Sequence, residues 1–171
     1  MESSLPKVLH QVGSKTIIQH VIGALYNAKI NDILIVVGFM KEKIIQSLNN
    51  KSIRYVIQKE QLGTGHAVLE CKELLKKFDG NILILPGDIP LIKSKLLNTL
   101  ISSHIKNNYS ASILTLKLDN PFGYGRIIRD KHDNLLKIVE EKDAIPIQKK
   151  INEVNSGIYI FNSDILIKYL D

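Results

Sequence analysis

Apolar residues up to residue 118 alternate between two spacings, one typical of helices and one typical of buried strands. In residues 16–27 the apolar positions recur every three or four residues, which predicts an amphipathic helix. Residues 33–37 and 82–85 are continuous apolar runs, typical of strands buried on both faces. The same patterns predict strands at residues 53–58 and 111–118 and helices at residues 41–48, 67–78 and 94–106, the last with Ser94 as its N-cap.

This alternation predicts an α/β fold, a Rossmann-like and mostly parallel sheet with helices on both faces. We expect residues 33–37 and 82–85 to lie in that one sheet. From about Asp119 the pattern changes to a turn-rich loop and short strands at residues 126–129, 135–139 and 154–161, which predict a smaller β-rich lobe ending in a helical turn from Ser163. Because no linker or repeat interrupts the chain, we expect a single domain over residues 1–171.

Composition excludes several classes of protein. The chain is 44% hydrophobic and 23% charged, as in ordinary globular domains, and no apolar run is long enough to span a bilayer. Its net charge of +6 comes from scattered lysines without interleaved aromatics, which favours a solvated surface over a nucleic-acid groove. One cysteine, Cys71, excludes an intrachain disulfide and fits a reducing cytoplasm.

The segment from Gln58 to Ala67 is the strongest candidate binding element. It joins a predicted strand to a predicted helix and carries Gly63, Thr64 and Gly65. A helix start offers unpaired backbone N–H groups, and glycine lets a ligand approach them closely. The amides of Gln58 and Gln61 can match the donor and acceptor edge of a nucleobase. The layout favours a nucleotide over a metal ion or a peptide.

Two charged residues are candidates for phosphate chemistry. Asp88 follows the predicted strand at residues 82–85, on the side of an α/β sheet where ligands bind, and a carboxylate there can hold Mg²⁺ against phosphates. A plain turn aspartate is the alternative. Lys7 lies in an apolar stretch, so its ammonium group either reaches water or pairs with an anion. On this segment alone, a solvent-facing lysine is the favoured reading.

Glu140 and Asn155 are candidates with simple alternatives. Glu140 begins a charge run over residues 140–143, and such runs usually form a solvated face. Asn155 opens a predicted strand and can both donate and accept hydrogen bonds, as sugar recognition requires, but on this segment alone a turn asparagine before a strand is the favoured interpretation. The five histidines show no metal-ligand spacing, and no nucleophile-elbow or Walker-type loop is present, so nothing supports covalent catalysis.

Six segments together resemble the nucleotidyltransferase family of sugar-nucleotide pyrophosphorylases. Within it they are most similar to the N-terminal uridyltransferase domain of the bifunctional bacterial enzymes that make UDP-N-acetylglucosamine. The segments occur in the family's order, and they are LPKVLH at residues 5–10, Gln58 with QLGTGHA at residues 61–67, GDIPL at residues 87–91, GYGRI at residues 123–127, VEEKDA at residues 139–144 and NSGI at residues 155–158.

The resemblance implies a role for each candidate residue. Lys7 would contact phosphate, and Asp88 would ligate Mg²⁺, which makes these two the catalytic residues. Substrate-binding residues would fall into two groups: Gln58, Gln61, Gly63, Thr64 and Gly87 on the nucleotide side, and Gly125, Glu140 and Asn155 on the sugar side. The substrates would be UTP and N-acetylglucosamine 1-phosphate, in the cytoplasm, with no nucleic-acid or membrane partner and with a homo-oligomer left open.

The resemblance also predicts parts that this sequence does not contain. The family opens with a strand and a Gly-rich, Arg-containing triphosphate loop, and carries a later asparagine that helps to hold Mg²⁺. Because the first strand is central in such sheets, we expect its absence to leave neighbouring strands without a backbone partner. We therefore expect weak activity from the chain as it stands; the alternative is an inactive remnant or a nucleotide-sugar-binding module.

Overall fold

The computed structural model describes residues 5–170, which form two compact units. The first unit takes in the described residues up to Ile82, then Pro86–Ser110, and those from Phe161 onward; the second takes in Leu83–Leu85 and Ala111–Ile160. Residues 1–4 and 171, which the single-domain prediction includes, lie outside the described residues. That one domain spans residues 1–171 stays a prediction.

The first unit contains most of the helices. A short 3-10 helix, Lys7–Leu9, precedes a hairpin of two-residue strands, β1 (Gln11–Val12) and β2 (Lys15–Thr16), which the sequence analysis missed. The remaining elements of this unit are α1 (Ile17–Asn27), β3 (Ile33–Val37), α2 (Lys41–Leu48), β4 (Ile53–Ile57), α3 (Thr64–Leu69), α4 (Lys72–Leu75), α5 (Ser94–Lys106) and α7 (Ser163–Lys168).

Helix α1 begins at the predicted place because its first turn is capped by side chains. Thr16 Oγ1 accepts from the backbone N–H of Gln19, and Gln19 Oε1 accepts from the N–H of Thr16. This reciprocal capping satisfies two N–H groups that a helix start leaves unpaired. The apolar stripe of α1 is buried at Ile18, Val21, Ile22 and Leu25. The N-cap prediction for α5 was wrong: Lys93 occupies that position, and Ser94 is the first helical residue.

The predicted helix at residues 67–78 is two short helices, α3 and α4, which meet at Cys71. The Cys71 N–H bonds to Val68 O, three residues back, while Ala67 O accepts the Cys71 thiol at 3.5 Å. A hydrogen bond to the third preceding residue tightens the turn and interrupts regular α-helical pairing. The helical segment also begins earlier than predicted, at Thr64, because Gly63 adopts a φ of +101° and turns the chain into the helix.

The second unit is mainly a sheet. Five strands form this sheet, with residues 81–82 and 161–162 at its ends assigned to the first unit: β5 (Asn81–Ile84), β6 (Ala111–Lys117), β7 (Arg126–Arg129), β8 (Leu135–Val139) and β9 (Glu153–Asn162). The order is β5-β9-β7-β8, and β6 also pairs with β9. Pairing of β7 with both β8 and β9 is antiparallel, and a bulge between Ile128 and Arg129 shifts the β7–β8 register. A 3-10 turn, Glu141–Asp143, and a short helix α6 (Pro146–Lys149) follow β8.

The α/β class and the β-rich lobe are confirmed, but strands β3 and β5 do not share a sheet. In the described residues β3 pairs only with β4, in parallel, whereas β5 belongs to the five-stranded sheet. Both kinds of pairing occur among these strands: β3 with β4 is parallel, whereas β1 with β2 and β7 with β8 and β9 are antiparallel. The resemblance predicts a first strand that pairs centrally, and that this strand would join β3 and β5 in one sheet stays a prediction. No helix in this part of the chain is long and apolar enough to cross a membrane.

Candidate functional site

Gln58 anchors the loop that follows strand β4. Its backbone N–H donates to Val37 O at 2.8 Å, which continues the β3–β4 ladder by one step. Its side-chain nitrogen donates to Gly63 O at 3.2 Å and to His66 Nδ1 at 3.0 Å. Because an amide nitrogen can only donate, His66 Nδ1 accepts and the imidazole proton lies on Nε2, 3.5 Å from Glu70 Oε1. The Gln58 amide nitrogen thus holds the loop in shape.

The same loop crosses the carboxyl ends of both parallel strands. Gly38 follows β3 directly, and a Cβ on Gly38 would lie 2.9 Å from Gln61 Nε2. The Gln61 side chain therefore rests on the bare backbone of Gly38, a close approach that only glycine permits. Gln61, Gly63 and Thr64 are exposed at this edge. Sequence reasoning missed Gly38, although a glycine directly after a buried parallel strand is the signal that could have found it.

Lys7 and Asp88 meet in the first unit although 81 residues separate them. Lys7 Nζ donates to Asp88 Oδ2 at 2.6 Å, and this hydrogen bond together with the carboxylate charge raises the pKa of Lys7 above its ordinary value. Gly87, which precedes Asp88, packs closely against α1, because a Cβ there would lie 3.2 Å from Ile18 Cδ1. The structure thus brings together Lys7, Gly87 and Asp88, three of the predicted residues.

The Asp88 carboxylate is the group beside Lys7 that could contact a divalent cation. No group of three or more His, Cys, Asp or Glu side chains in the described residues is placed to hold a metal ion. The Asp88 side chain is 35% exposed, so water and phosphate oxygens can reach it. Mg²⁺ is commonly held in this way, through one or two carboxylates, several waters and substrate phosphates. Asp88 therefore fits Mg²⁺ that arrives with a phosphorylated substrate.

Gly125, Glu140 and Asn155 are gathered by the register of three strands in the second unit. Arg126 pairs with Val139 on β8 and with Val154 on β9, both antiparallel, so the preceding Gly125 lies opposite Glu140 and Asn155. The Asn155 N–H donates to Gly125 O at 2.8 Å. A Cβ on Gly125 would lie 3.0 Å from Glu140 Oε1 and 2.9 Å from Ile138 Cγ2. The three residues form a compact polar cluster, which we call the Gly125 cluster.

Tyr159 extends the Gly125 cluster. The Asn155 side-chain nitrogen donates to the Tyr159 hydroxyl at 2.6 Å, and Asn155 Oδ1 accepts from the Gly157 N–H at 2.8 Å. Burial raises the pKa of Tyr159, and the negative charge of Glu140 adds to the rise against the opposing effect of the Asn155 hydrogen bond. Sequence reasoning missed Tyr159; the available signal was its position four residues along the same strand as Asn155.

A buried ion pair is formed by Arg126 and Glu141, which directly follow the cluster residues Gly125 and Glu140 in the sequence. Arg126 is 1% exposed, and its Nη2 lies 2.6 Å from Glu141 Oε2. The other terminal nitrogen, Nη1, donates to Tyr124 O, while Nε has no hydrogen-bond partner in the described part of the chain. Glu141 was predicted to lie on a solvated charge run, but its side chain is only 19% exposed. The Arg126 hydrogen bond is the main reason that the pKa of Glu141 lies below its ordinary value.

Comparison with known proteins assigns the family. A family model described as nucleotidyl transferase matches residues 2–171. The chain belongs to this nucleotidyl transferase family. It is 45% identical over 170 residues to the bifunctional protein GlmU of Carboxydothermus hydrogenoformans and 47% identical over 161 residues to that of Syntrophomonas wolfei. These matches cover 99% and 94% of the chain but only 37% and 36% of the two relatives.

Solved structures agree with the family assignment at the level of the fold. A protein from Bacillus anthracis, described as a glucose-1-phosphate thymidylyltransferase, superposes with a TM-score of 0.78 at 22% identity. The match covers 96% of the chain and 67% of that protein. HddC from Yersinia pseudotuberculosis gives a TM-score of 0.71 at 19% identity, covering 99% of the chain and 72% of that protein. The predicted Rossmann-like class and the resemblance to the GlmU nucleotidyl transferase part are both confirmed.

The structure places the predicted site residues in three groups. The loop group contains Gln58, Gln61, Gly63 and Thr64; the second contains Lys7, Gly87 and Asp88; the third is the Gly125 cluster. The first two groups lie in the first unit and the third in the second unit. That Thr64 and Asp88 face one cleft, and that any of these residues binds substrate, stays a prediction.

Proposed function

We propose that the chain carries the nucleotide-binding and sugar-binding residues of a uridyltransferase that forms UDP-N-acetylglucosamine. The observation that carries the proposal is the register that sets Gly125 against Glu140 and Asn155. It puts a carboxylate, an amide and bare backbone together within one polar cluster, and such groups recognise sugar hydroxyl and amide groups by hydrogen bonding. The similarity to GlmU proteins over nearly the whole chain supports this choice of sugar.

The loop group is proposed to hold the uridine. Gln61 and Thr64 are exposed at the carboxyl ends of the parallel strands, where nucleotides bind in α/β folds. The Gln58 amide fixes the loop through Gly63 and His66, so Gln58 acts as a support for the loop, and Gln61 is left to present its amide to the base. Gly87 sets the turn that carries Asp88 toward the phosphates.

Lys7 and Asp88 are proposed to manage the phosphate charge. Lys7 is cationic, because the adjacent carboxylate favours its protonated form, and it can pair with phosphate oxygens instead of Asp88. Asp88 would hold Mg²⁺, and a bound Mg²⁺ would neutralise negative charge on the triphosphate. Lys7 would then be released toward the phosphates of the nucleotide.

The proposed reaction is a single displacement at the α-phosphorus of UTP. A phosphate oxygen of N-acetylglucosamine 1-phosphate forms the new P–O bond, the bond from the α-phosphorus to the β-bridging oxygen breaks, and pyrophosphate leaves with that electron pair. Such chemistry depends on positioning and charge stabilisation rather than on a protein nucleophile. Consistent with this, burial raises the pKa of the Cys71 thiol to about 11, which keeps it protonated and unreactive. A cytoplasmic location belongs to the same proposal.

The test is pyrophosphate release from UTP and N-acetylglucosamine 1-phosphate in the presence of Mg²⁺, beside calorimetric binding of UDP-N-acetylglucosamine. We expect Asp88→Asn to abolish release and Glu140→Gln to weaken sugar-nucleotide binding. The matched controls are Asp133→Asn, in an exposed turn, and Glu42→Gln, at the start of α2. If the wild-type chain neither releases pyrophosphate nor binds the sugar nucleotide, or if the controls behave like the site variants, the proposal fails.

A further inference from the structure

Arg126 is the largest side chain that is fully buried in the described residues, and it begins a strand at the edge of the Gly125 cluster. Its strand neighbours across the sheet, Val139 and Val154, are buried and apolar. A guanidinium group in such surroundings loses its hydration and depends on the few partners it finds. An apolar residue would fill the position without that loss, so the partners of Arg126 indicate what the side chain contributes.

Those partners lie on both sides of the cluster along the chain. Arg126 donates to Tyr124 O, which immediately precedes Gly125, and to Glu141 Oε2, on the residue immediately after Glu140. Glu141 Oε2 also accepts from the Gly123 N–H at 3.3 Å. Glu141 Oε1 lies 3.4 Å from Lys149 Nζ. A continuous set of polar contacts therefore ties the 123–125 turn to the end of β8, with Arg126 and Glu141 at its centre.

We propose that Arg126 and Glu141 are a positioning pair that fixes the spacing of Gly125 and Glu140 and thereby sets the affinity for the sugar end of the substrate. The inference rests on the proposed function for what the cluster binds. Neither member of the pair is taken to touch the substrate. Each holds a residue directly adjacent to one that does: Arg126 through Tyr124, and Glu141 through its own peptide link to Glu140.

The backbone at Gly125 has little room to move toward Glu140. A Cβ on Gly125 would already be only 3.0 Å from Glu140 Oε1, so the turn and the end of β8 approach as closely as glycine allows. The same backbone supplies Gly125 O to the Asn155 N–H. A shift of the 123–125 turn therefore moves the contacts of Gly125 with both Glu140 and Asn155 at once. Misplacement of binding groups by about 1 Å is enough to cost up to about 100-fold in function.

The test replaces both members of the pair, Arg126→Met with Glu141→Leu, so that no unpaired charge stays buried. Replacement of a buried ion pair by apolar side chains of similar size is commonly tolerated by the fold. The matched control makes the same two changes at the neighbouring pair on β7 and β9, Arg129→Met with Glu153→Leu, where Arg129 Nη2 lies 2.7 Å from Glu153 Oε1. A milder variant, Glu141→Gln, keeps the shape of the side chain and removes its charge.

Two readouts are measured on the 171-residue chain. Affinities for UDP-N-acetylglucosamine and for UMP separate the sugar end from the nucleotide end. Amide hydrogen exchange of the Asn155 N–H, which bonds to Gly125 O, reports the cluster geometry without any ligand. We expect the Arg126/Glu141 double variant to bind the sugar nucleotide about 10- to 100-fold more weakly, to bind UMP as wild type does, and to exchange the Asn155 amide about tenfold faster.

The control double variant is expected to match wild type in sugar-nucleotide affinity and in Asn155 exchange. Should the Arg126/Glu141 double variant not fold, Glu141→Gln is expected to show the same selective loss in weaker form. Unchanged Asn155 exchange and unchanged sugar-nucleotide affinity in the folded variants would overturn the positioning role, as would an equal loss of UMP binding. If wild type neither binds the sugar nucleotide nor releases pyrophosphate, the proposed function fails instead, and the exchange readout alone decides whether the pair positions the cluster.

Discussion

Lys7 Nζ lies 2.6 Å from Asp88 Oδ2. Lys7, which is proposed to bind phosphate, is therefore paired with the Asp88 carboxylate that is proposed to bind Mg²⁺. The two side chains are 74% and 35% exposed, and water and salt screen their attraction. Such a pair opens readily. A cation at Asp88 and an anion at Lys7 would each replace one partner, which couples the two binding events.

Replacement of Lys7 by methionine is therefore expected to strengthen the binding of a divalent cation at Asp88. Because exposed ion pairs contribute at most about 1 kcal/mol, the gain is expected to reach up to about fivefold. Mn²⁺ can stand in for Mg²⁺, and paramagnetic broadening of the Asp88 amide signal measures its affinity without nucleotide. Lys51→Met, in an exposed turn before β4, is the control. Equal or weaker Mn²⁺ binding in Lys7→Met would show that the ion pair does not compete with the metal.

Gly38→Ala is expected to weaken nucleotide binding while changing the stability little. The new Cβ would lie 2.9 Å from Gln61 Nε2 and 3.4 Å from Gln58 O, so the flexible Gln61 side chain must move away. Calorimetric titration with UMP and a thermal melt measure the two effects, and we expect roughly a tenfold loss of affinity. Gly23→Ala in helix α1 is the matched control, because apart from its chain neighbours and the local helix backbone no atom lies within 4 Å of its Cβ position. If Gly38→Ala binds UMP as tightly as wild type does, Gln61 is not part of the nucleotide site.

Gly125→Ala should damage both the stability and the sugar end of the site. Its Cβ would press against Ile138 Cγ2 at 2.9 Å and Glu140 Oε1 at 3.0 Å in a buried position. Overpacking of this kind costs about 1–3 kcal/mol, whereas Gly23→Ala in an open helix position is expected to gain about 0.5–1 kcal/mol. Urea unfolding gives the stability of both variants, and titration with UDP-N-acetylglucosamine gives the affinity. If Gly125→Ala keeps both the wild-type stability and the wild-type affinity for UDP-N-acetylglucosamine, the close contact at Gly125 is contradicted.

Acid stability is expected to depend on Glu153. Its hydrogen bond with Arg129 is the main cause that lowers its pKa from 4.5 to about 2. A carboxyl group with a lowered pKa stabilises the folded state fully above its unfolded pKa, and that contribution is lost as the pH falls from about 4.5 toward 2. The contribution is at most about 3 kcal/mol. Urea unfolding at a series of pH values measures the free energy of unfolding. As the pH falls, we expect it to decrease less in Arg129→Gln than in wild type or in the control Lys131→Gln. An equal decrease in all three proteins would refute the role of Glu153.

Local patterns in the sequence predicted most of the elements. Helix α5 and strands β7 and β8 have the predicted bounds, because the apolar residues of α5 recur at helical spacing and turn residues flank the two short strands. The break at Cys71 was missed because it lies in the backbone hydrogen bonding, where the Cys71 N–H bonds to Val68 O three residues back, and this leaves the apolar period intact.

The sequence predicted which residues belong to the candidate sites, but it did not predict how those residues are arranged in space. The resemblance named Gly125, Glu140 and Asn155, but their approach depends on strand register, and a slip of one residue would turn every side chain to the other face. Arg126 was missed because an arginine beside a turn normally lies in solvent, and nothing local links it to Glu141, 15 residues along the chain.

The central claim is that the loop group recognises the uridine nucleotide and that the Gly125 cluster recognises the N-acetylglucosamine phosphate. The most direct measurement is a two-dimensional amide NMR titration of the ¹⁵N-labelled chain with UMP, N-acetylglucosamine 1-phosphate and UDP-N-acetylglucosamine. We predict that UMP shifts the signals of Gly63 and Thr64, that the sugar phosphate shifts those of Gly125 and Asn155, and that UDP-N-acetylglucosamine shifts all four. Shifts confined to other residues, or none with any of the three ligands, would contradict the account.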